Sequence, residues 1–180
     1  AIGYAALGAE TAGDNSVAIG YTALLAQNNS GGGDIYNVAV GYGAGAAVTT
    51  GIQNSLLGGL AGDALTDADD NVAIGKQALT ADTLGSRSVA IGFNTLADQN
   101  FTTATSTYNV AMGYNAGGGV TTGTENTIVG GFAGDALTTG SQNVALGSYT
   151  LQAQTTAHNN TAVGYIALGA NTTGLSLIHI

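Results

Sequence analysis

The chain has 180 residues, with 30 Gly and no Pro, Cys or Trp, and its formal net charge is −9. An acidic chain whose only basic residues are Lys76 and Arg87 disfavours nucleic-acid binding, which needs Lys and Arg to neutralise phosphate. The lack of Cys excludes disulfides and thiolate metal sites within this chain, and no apolar run has the length needed to cross a bilayer.

A short phrase recurs from one end of the sequence to the other. It reads "NSVAIG" at 15–20, and it returns as "NVAVG" at 37–41, "NVAIG" at 71–75 and "NTAVG" at 160–164. The chain begins with "AIGY", in the middle of one copy, so we expect it to be part of a longer protein. The Gly that closes each copy is called the marker glycine, and the marker glycines are Gly3, Gly20, Gly41, Gly58, Gly75, Gly92, Gly113, Gly130, Gly147 and Gly164.

The marker glycines divide the sequence into regular units. Most neighbouring markers enclose a 17-residue unit, as Gly58 and Gly75 do, and the two units that end at Gly41 and Gly113 are 21-residue units. A longer 72-residue period lies above the first, since "GGLAGDALT" at 58–66 returns as "GGFAGDALT" at 130–138. Short repeated strands at this spacing predict an all-β fold, a parallel β-solenoid of about ten coils with a 17-residue unit and two 21-residue coils.

Within each phrase the residue types alternate with period two. Val17, Ile19 and Tyr21 share one side of an extended segment, and Ala18 and Gly20 share the other. We expect the Val and Ile side to face the core of the coil. The opposite side is small and uncharged, so we expect it to pack against identical chains around a symmetry axis, with a trimer preferred.

The acidic residues keep away from the marker glycines. None of the eleven lies within four residues of a marker, so this window is expected to be buried. The acids are expected on a solvated arc of each coil, as at Asp34, Asp67, Asp69, Asp70, Asp82 and Asp98.

An Asn opens most copies of the phrase, and stacking would place these Asn residues above one another. Their amides are then expected to form a ladder that bonds to the turn and to the next amide. The ladder residues are Asn37, Asn54, Asn71, Asn109, Asn126, Asn143 and Asn160.

These residues resemble a known family. "NSVAIGYTAL", "SVAIGFNTL" and "NTAVGYIAL" are similar to the head repeats of YadA-like trimeric autotransporter adhesins, over Ala1 to Gly174. The resemblance implies a left-handed β-roll, a homotrimer and binding to host surfaces. The longer form "NTAVGYIALGANTTG" at 160–174 looks more like repeats in phage tail fibres, so bacterial and phage origins stay open.

The last six residues, "LSLIHI" at 175–180, are predicted to leave the register of the solenoid domain at 1–174. They resemble a translated sequencing adapter, and we leave them out of the functional interpretation. The alternative is a genuine strand at a repeat boundary.

Candidate sites for chemistry are few. His158 is interpreted as a solvated turn residue, because no Ser-His-Asp order, HExxH or GxxxxGK[ST] motif accompanies it. Four Asp lie in "DALTDADD" at 63–70, where a solvated acidic turn is favoured over a calcium site. We therefore predict no catalytic residues, no metal and no cofactor.

Two further rows of residues are candidate binding surfaces. Thr pairs could bind ice on a flat solenoid, but adjacent Thr side chains point to opposite faces and most pairs precede Gly, as turns do. The pairs are Thr49-Thr50, Thr121-Thr122, Thr138-Thr139, Thr155-Thr156 and Thr172-Thr173. A second row is aromatic and lies on the same side of the strand as Val and Ile. We favour a place in the core for this row over a glycan-stacking surface. Its members are Tyr4, Tyr21, Tyr42, Phe93, Tyr114 and Tyr165.

The expected function is a non-enzymatic structural or adhesive segment of an extracellular trimeric fibre or adhesin head. Its location would be a bacterial outer surface or a virion tail fibre, its partner a host-surface protein or glycan, and it would not insert into a membrane. An ice-binding solenoid and a carbohydrate-active β-solenoid enzyme are the alternatives.

Overall fold

The computed structural model describes residues 1–170, 172 and 174–180, and it is all-β over these residues. The described part contains no helix, and so none long and apolar enough to cross a membrane. The strands are β1 (Gly13–Asp14), β2 (Val17–Ile19), β3 (Gly33–Asp34), β4 (Val38–Val40), β5 (Ser55–Leu57), β6 (Val72–Ile74), β7 (Gly85–Ser86), β8 (Val89–Ile91), β9 (Thr105–Ser106), β10 (Val110–Met112), β11 (Thr127–Val129), β12 (Val144–Leu146), β13 (Thr161–Val163) and β14 (Ile178–His179).

Nine strands from the repeated phrase and β14 from the final segment form a single parallel sheet of ten strands. The order is β14-β13-β12-β11-β10-β8-β6-β5-β4-β2, and equivalent residues pair, as Ala73 does with Ala90. An isolated parallel bridge between Ile2 and Ile19 continues the sheet at the other end. The predicted solenoid of about ten coils with a 17-residue unit is therefore confirmed.

The marker glycines form a column along this sheet. Each has a positive φ between 123° and 141°, and from Gly3 to Gly147 the backbone of the next marker lies very close. A Cβ built on Gly20 would lie 2.3 Å from the carbonyl oxygen of Gly41. A side chain at this position would overlap the neighbouring coil, and this explains why every copy of the phrase closes with Gly.

The insertions of the two 21-residue coils form short strands that lie outside the ten-stranded sheet. The insertion before Gly41 pairs β3 with β1, and the insertion before Gly113 pairs β9 with β7, both in parallel. The ten-stranded sheet keeps its register across both insertions, since Val17 pairs with Val38 and Val89 with Val110.

The side of the strand that faces the core is the opposite of the one predicted. Ala18 is fully buried, whereas Val17 and Ile19 are 44% and 38% exposed. The interior is narrow, and Leu side chains of the following turn, such as Leu24, already fill it. Only a small residue then fits on the strand, so the Ala side faces inward and the Val and Ile side faces outward.

Two coils show the rule by reversing it. Leu56 and Ile128 replace the inward Ala on β5 and β11, and both are fully buried. The turn residue four positions after the marker is Gly in these two coils, at Gly62 and Gly134, and also in the coil before each of them, at Gly45 and Gly117, whereas the other six coils have Leu there. A Cβ at Gly62 would lie 2.8 Å from a methyl carbon of Leu56, so the large side chain occupies the space that the Gly leaves.

The final segment stays in register with the stack. Ile178 pairs with Thr161 in β13, one 17-residue unit earlier, and the Leu177 N–H donates to Asn160 Oδ1 at 2.9 Å. The predicted departure from the register is therefore wrong for residues 177–179. The backbone groups of β13 pair with a further strand, and these residues supply it although Leu177 stands where the phrase has Asn.

Candidate functional site

The Asn residues of the phrase lie in a column inside the stack. The backbone N–H of Asn54 donates to Asn37 Oδ1 at 2.8 Å. The side-chain Nδ2 of Asn54 donates to Asn37 Oδ1 at 3.2 Å and to the carbonyl of Ala68 at 2.8 Å. Contacts of this kind link Asn37, Asn54 and Asn71 in one run and Asn109, Asn126, Asn143 and Asn160 in another. All seven Asn residues are buried. Their hydrogen bonds connect neighbouring coils within each run.

A Gln joins the two runs at the point where Ser88 replaces the Asn. The Ser88 N–H donates to Asn71 Oδ1 at 2.9 Å, and Gln99 Nε2 donates to Ser88 Oγ at 2.9 Å. Gln99 Oε1 accepts from Asn109 Nδ2 at 2.8 Å, which carries the chain of hydrogen bonds into the next run. The same junction occurs one 72-residue period earlier, where it uses Ser16, Gln27 and Asn37.

A carboxylate supports each junction. Gln27 Nε2 donates to Glu10 Oε2 at 3.0 Å, and Gln99 Nε2 donates to Asp82 Oδ2. Burial alone would raise the pKa of Glu10, but hydrogen bonds from Gln27 and from the N–H groups of residues 11–13 lower it to about 2. Burial raises the pKa of Asp82, although Gln99 and three backbone N–H groups act in the opposite direction.

Asp82 is also a correction to the predicted charge pattern. The sequence pattern places it on the solvated arc, yet it is fully buried, because its oxygens accept the N–H groups of Gly85 and Phe101 and organise the insertion. Sequence reasoning missed these junctions. The sequence does carry a sign of them, because Gln27 recurs 72 residues later as Gln99, and the acid Glu10 recurs 72 residues later as the acid Asp82.

The outward side of the ten-stranded sheet is an apolar surface, which we call the sheet face. It consists of the residues three and one before each marker glycine, together with the residue after it, so Val17, Ile19 and Tyr21 belong to one coil. Ile74 and Met112 are 37% and 44% exposed on this face. No acidic residue lies on it, and its single basic residue is Lys76, whose ammonium lies 5.9 Å from the centre of the Phe93 ring.

The aromatic row lies on this exposed face, so its predicted place in the core is wrong. Tyr4, Tyr21 and Tyr42 stack on one another with centroid distances of 5.2 and 5.5 Å, and Tyr4 is 73% exposed. A second stack starts at Phe93 and Tyr114. Ring contacts at 5.2 to 6.0 Å continue from it across Gly131 and Ser148; the Tyr114–Phe132 pair is tilted, Phe132 and Tyr149 are stacked, and Tyr165 meets Tyr149 edge to face.

The acids of residues 63–70 do not gather around a common point. Asp67 accepts the Thr50 hydroxyl at 2.6 Å, Asp69 accepts the Ile52 N–H at 2.8 Å, and Asp70 forms an ion pair with Arg87 at 3.6 Å. The described residues contain no group of three or more His, Cys, Asp or Glu that could hold a metal ion, and no pocket is present among them.

His158 is half-buried rather than fully solvated. Its Nδ1 accepts the Ser141 N–H at 3.0 Å, and one 17-residue unit earlier Ser141 Oγ accepts the Thr124 N–H at the same distance. His158 therefore takes its place in a structural column of side-chain acceptors.

Thr side chains also bond along the stack. The hydroxyls of Thr49, Thr121 and Thr138 each donate to the carbonyl of the equivalent residue in the next coil, at 3.0 to 3.2 Å. Their hydroxyl protons are thus engaged within the solenoid. Thr173, in the last predicted pair, lies outside the described residues.

Asp135 is an acid whose environment does not favour its charge. Its Oδ1 is buried without a hydrogen-bond partner among the described residues, and desolvation raises its pKa. Because the pKa of this carboxyl is raised in the folded state, the carboxyl stabilises the fold when the pH lies below about 3.9, its pKa in the unfolded chain. It loses that contribution as the pH rises through its pKa in the folded state. Asp135→Asn is therefore expected to raise the free energy of unfolding at pH 7, by about 0.5 kcal/mol after allowance for partial exposure, and to have no such effect at pH 3.

The equivalent acid in the preceding 72-residue unit is the matched control. Asp63 Oδ1 accepts the Thr80 hydroxyl at 2.6 Å, whereas the residue equivalent to Thr80 beside Asp135 is Gln152. Asp63→Asn should bring no gain at pH 7, and Gln152→Thr should stabilise by supplying the missing donor. Chemical denaturation at the two pH values measures all three variants, and an equal gain from Asp63→Asn would contradict the explanation.

No protein-family model, no curated protein and no solved structure matches this chain.

Proposed function

We propose that this chain is a non-enzymatic structural and adhesive segment of an extracellular trimeric fibre or adhesin head. The observation that carries the proposal is the sheet face, an apolar surface repeated once per coil along the whole stack. A bacterial outer surface and a virion tail fibre are the two settings in which such a segment would hold a binding surface away from its anchor.

The size of the sheet face is that of a protein interface. Ten coils at about 4.8 Å each give a length of about 48 Å, and the five residues from three before to one after each marker glycine give a width of about 17 Å. The resulting area of about 800 Å² equals the share of one partner in a standard protein interface, and a monomer rarely exposes so large an apolar patch. We therefore assign the face to contact between copies of this chain, on the side opposite to the one predicted from sequence.

The charge distribution fits this assignment. Copies of a chain with net charge −9 repel one another, but the acids lie away from the sheet face. A closed ring of three copies buries all three faces around one axis, and the resemblance to trimeric adhesin heads favours three over two. Attachment to a host surface would then gain strength from three parallel copies of each repeated site.

A charge placed on the sheet face tests the assembly. Ile74→Asp combined with Met112→Asp should turn a trimer into a monomer, because each assembled face would bury two unpaired carboxylates. Sedimentation velocity at micromolar concentration measures the change. Thr102→Asp combined with Thr139→Asp adds the same charge at exposed positions away from the face and should leave the trimer intact. An unmodified chain that sediments as a folded monomer would refute the proposal.

A further inference from the structure

A second column of exposed side chains runs along the stack beside the sheet face. We call it the corner column, and it consists of the residue five positions before each marker glycine. Six consecutive members are Tyr36, Gln53, Asp70, Arg87, Tyr108 and Glu125. All six are exposed, and all six have φ between 51° and 65°, in the left-handed region.

This backbone conformation does not explain the side chains found there. Gly adopts the left-handed region at least cost, and a bulky residue such as Tyr in it is uncommon. At another left-handed corner, four residues after the marker, four coils have Gly, as at Gly45, and the other six have Leu, as at Leu24. None of the nine members of the corner column from Asn15 to Asn159 is Gly, and every member is polar, charged or Tyr. The left-handed conformation itself is shared with buried positions such as Leu24, so what distinguishes the corner column is that its polar and Tyr side chains face solvent, where a ligand can reach them.

The two Tyr residues of the column differ from those of the sheet face. Tyr36 and Tyr108 are 49% and 55% exposed, and neither stacks on another ring in the described part of the chain. Tyr21, in contrast, has Tyr4 and Tyr42 against its two faces. The ring faces in the corner column therefore remain available to an apolar surface of a ligand.

The other members of the column supply hydrogen bonds of both kinds with little net charge. Arg87 lies 3.6 Å from Asp70, and Gln142 Nε2 donates to Glu125 Oε2 at 3.1 Å. Paired charges and amides suit hydroxyl groups, which both donate and accept. A polyanion would be repelled by the overall charge of −9.

We propose that the corner column binds a neutral polysaccharide that lies extended along the stack. Sugar rings would rest on Tyr36 and Tyr108, and the amide, carboxylate and guanidinium groups between them would bond to hydroxyls. The two Tyr residues are four coils apart, about 19 Å, so the site spans several sugars. This inference rests on the proposed attachment function and names the chemical class of the surface that is attached.

Binding of defined glycans to the full chain tests the proposal. The probes are cellohexaose and chitohexaose in titration calorimetry and mannan in affinity electrophoresis. The double variant Y36N/Y108N should weaken binding of the recognised probe at least tenfold. Its melting temperature should stay the same or rise, because Asn tolerates the left-handed region better than Tyr. The control T102N/T139N changes two exposed residues outside both the sheet face and the corner column, and it should change the affinity less than twofold.

The outcomes separate this proposal from the proposed function. A chain that sediments as a trimer but binds none of the three probes overturns the glycan site alone. Equal loss of binding in both double variants also overturns it, as does binding only to a collagen-like peptide. A chain that sediments as a monomer yet binds glycan through the two Tyr supports the corner column and counts against the trimeric fibre.

Discussion

Gly58→Ala is expected to destabilise the fold by about 3 kcal/mol or more. Gly58 has a φ of +138°, and a Cβ there would lie 2.6 Å from the carbonyl carbon and oxygen of Gly75 and 3.1 Å from the Lys76 nitrogen. These atoms belong to the backbone of the next coil, so they can move only if the stack separates. Thermal and chemical unfolding measure the loss.

The next residue is a control of the same chemical type. Gly59 has no positive φ, and apart from its chain neighbours the described residues place only the Tyr42 carbonyl oxygen within 4 Å of its ideal Cβ, at 3.9 Å. Gly59→Ala should therefore raise the free energy of unfolding by about 0.5 kcal/mol, because Ala reduces the conformational freedom of the unfolded chain. Similar effects of the two substitutions would show that the marker glycines are not in close contact between coils.

Asn126→Asp is expected to lower the free energy of unfolding at pH 7 by about 3 kcal/mol or more. Asn126 Nδ2 donates to Asn109 Oδ1 and to the Gly140 carbonyl at 3.2 and 2.9 Å, and a carboxylate oxygen in its place would face two acceptors. The folded state would raise the pKa of this new Asp, so the variant should regain stability as the pH falls toward 4. Denaturant unfolding between pH 3 and pH 7 measures both effects.

Asn28→Asp adds the same charge at an exposed position. Asn28 Oδ1 accepts the Thr11 hydroxyl at 3.0 Å, and a carboxylate accepts equally well. This variant should change the free energy of unfolding by less than about 0.5 kcal/mol. If both Asn variants lost the same stability, the buried Asn column would not be a source of stability.

The period of the repeat was readable from sequence because stacking imposes it on each residue type. The marker glycines must be Gly wherever two backbones meet, and the Asn column needs an amide in each run. These constraints act at single positions and leave a regular trace in the 17-residue and 21-residue units. The coil number and the parallel register followed from that trace.

Residues that act across coils were harder to find. Phe132 and Tyr149 extend the row of aromatic contacts, but they lie two residues after their marker glycines, whereas Tyr114 lies one residue after its own. A search of the sequence at one fixed position therefore misses them. Sequence reasoning misplaces Asp82 because a buried acid and a solvated acid look alike in sequence. Only its contacts with Gln99 and two backbone N–H groups distinguish them.

The sequence by itself determined the repeat, the coil and the column of glycines, since each depends on one residue type at a fixed spacing. Only the tertiary structure decided which side of the strand is inside. Alternation of Val17 and Ile19 with Ala18 separates two faces but does not say which is buried, because neither carries charge. The width of the coil decides, because a turn residue such as Leu24 leaves room on the strand only for Ala, whereas Leu56 and Ile128 fit where the turn carries Gly. The Val and Ile side is thereby left outward, as the sheet face that we assign to assembly.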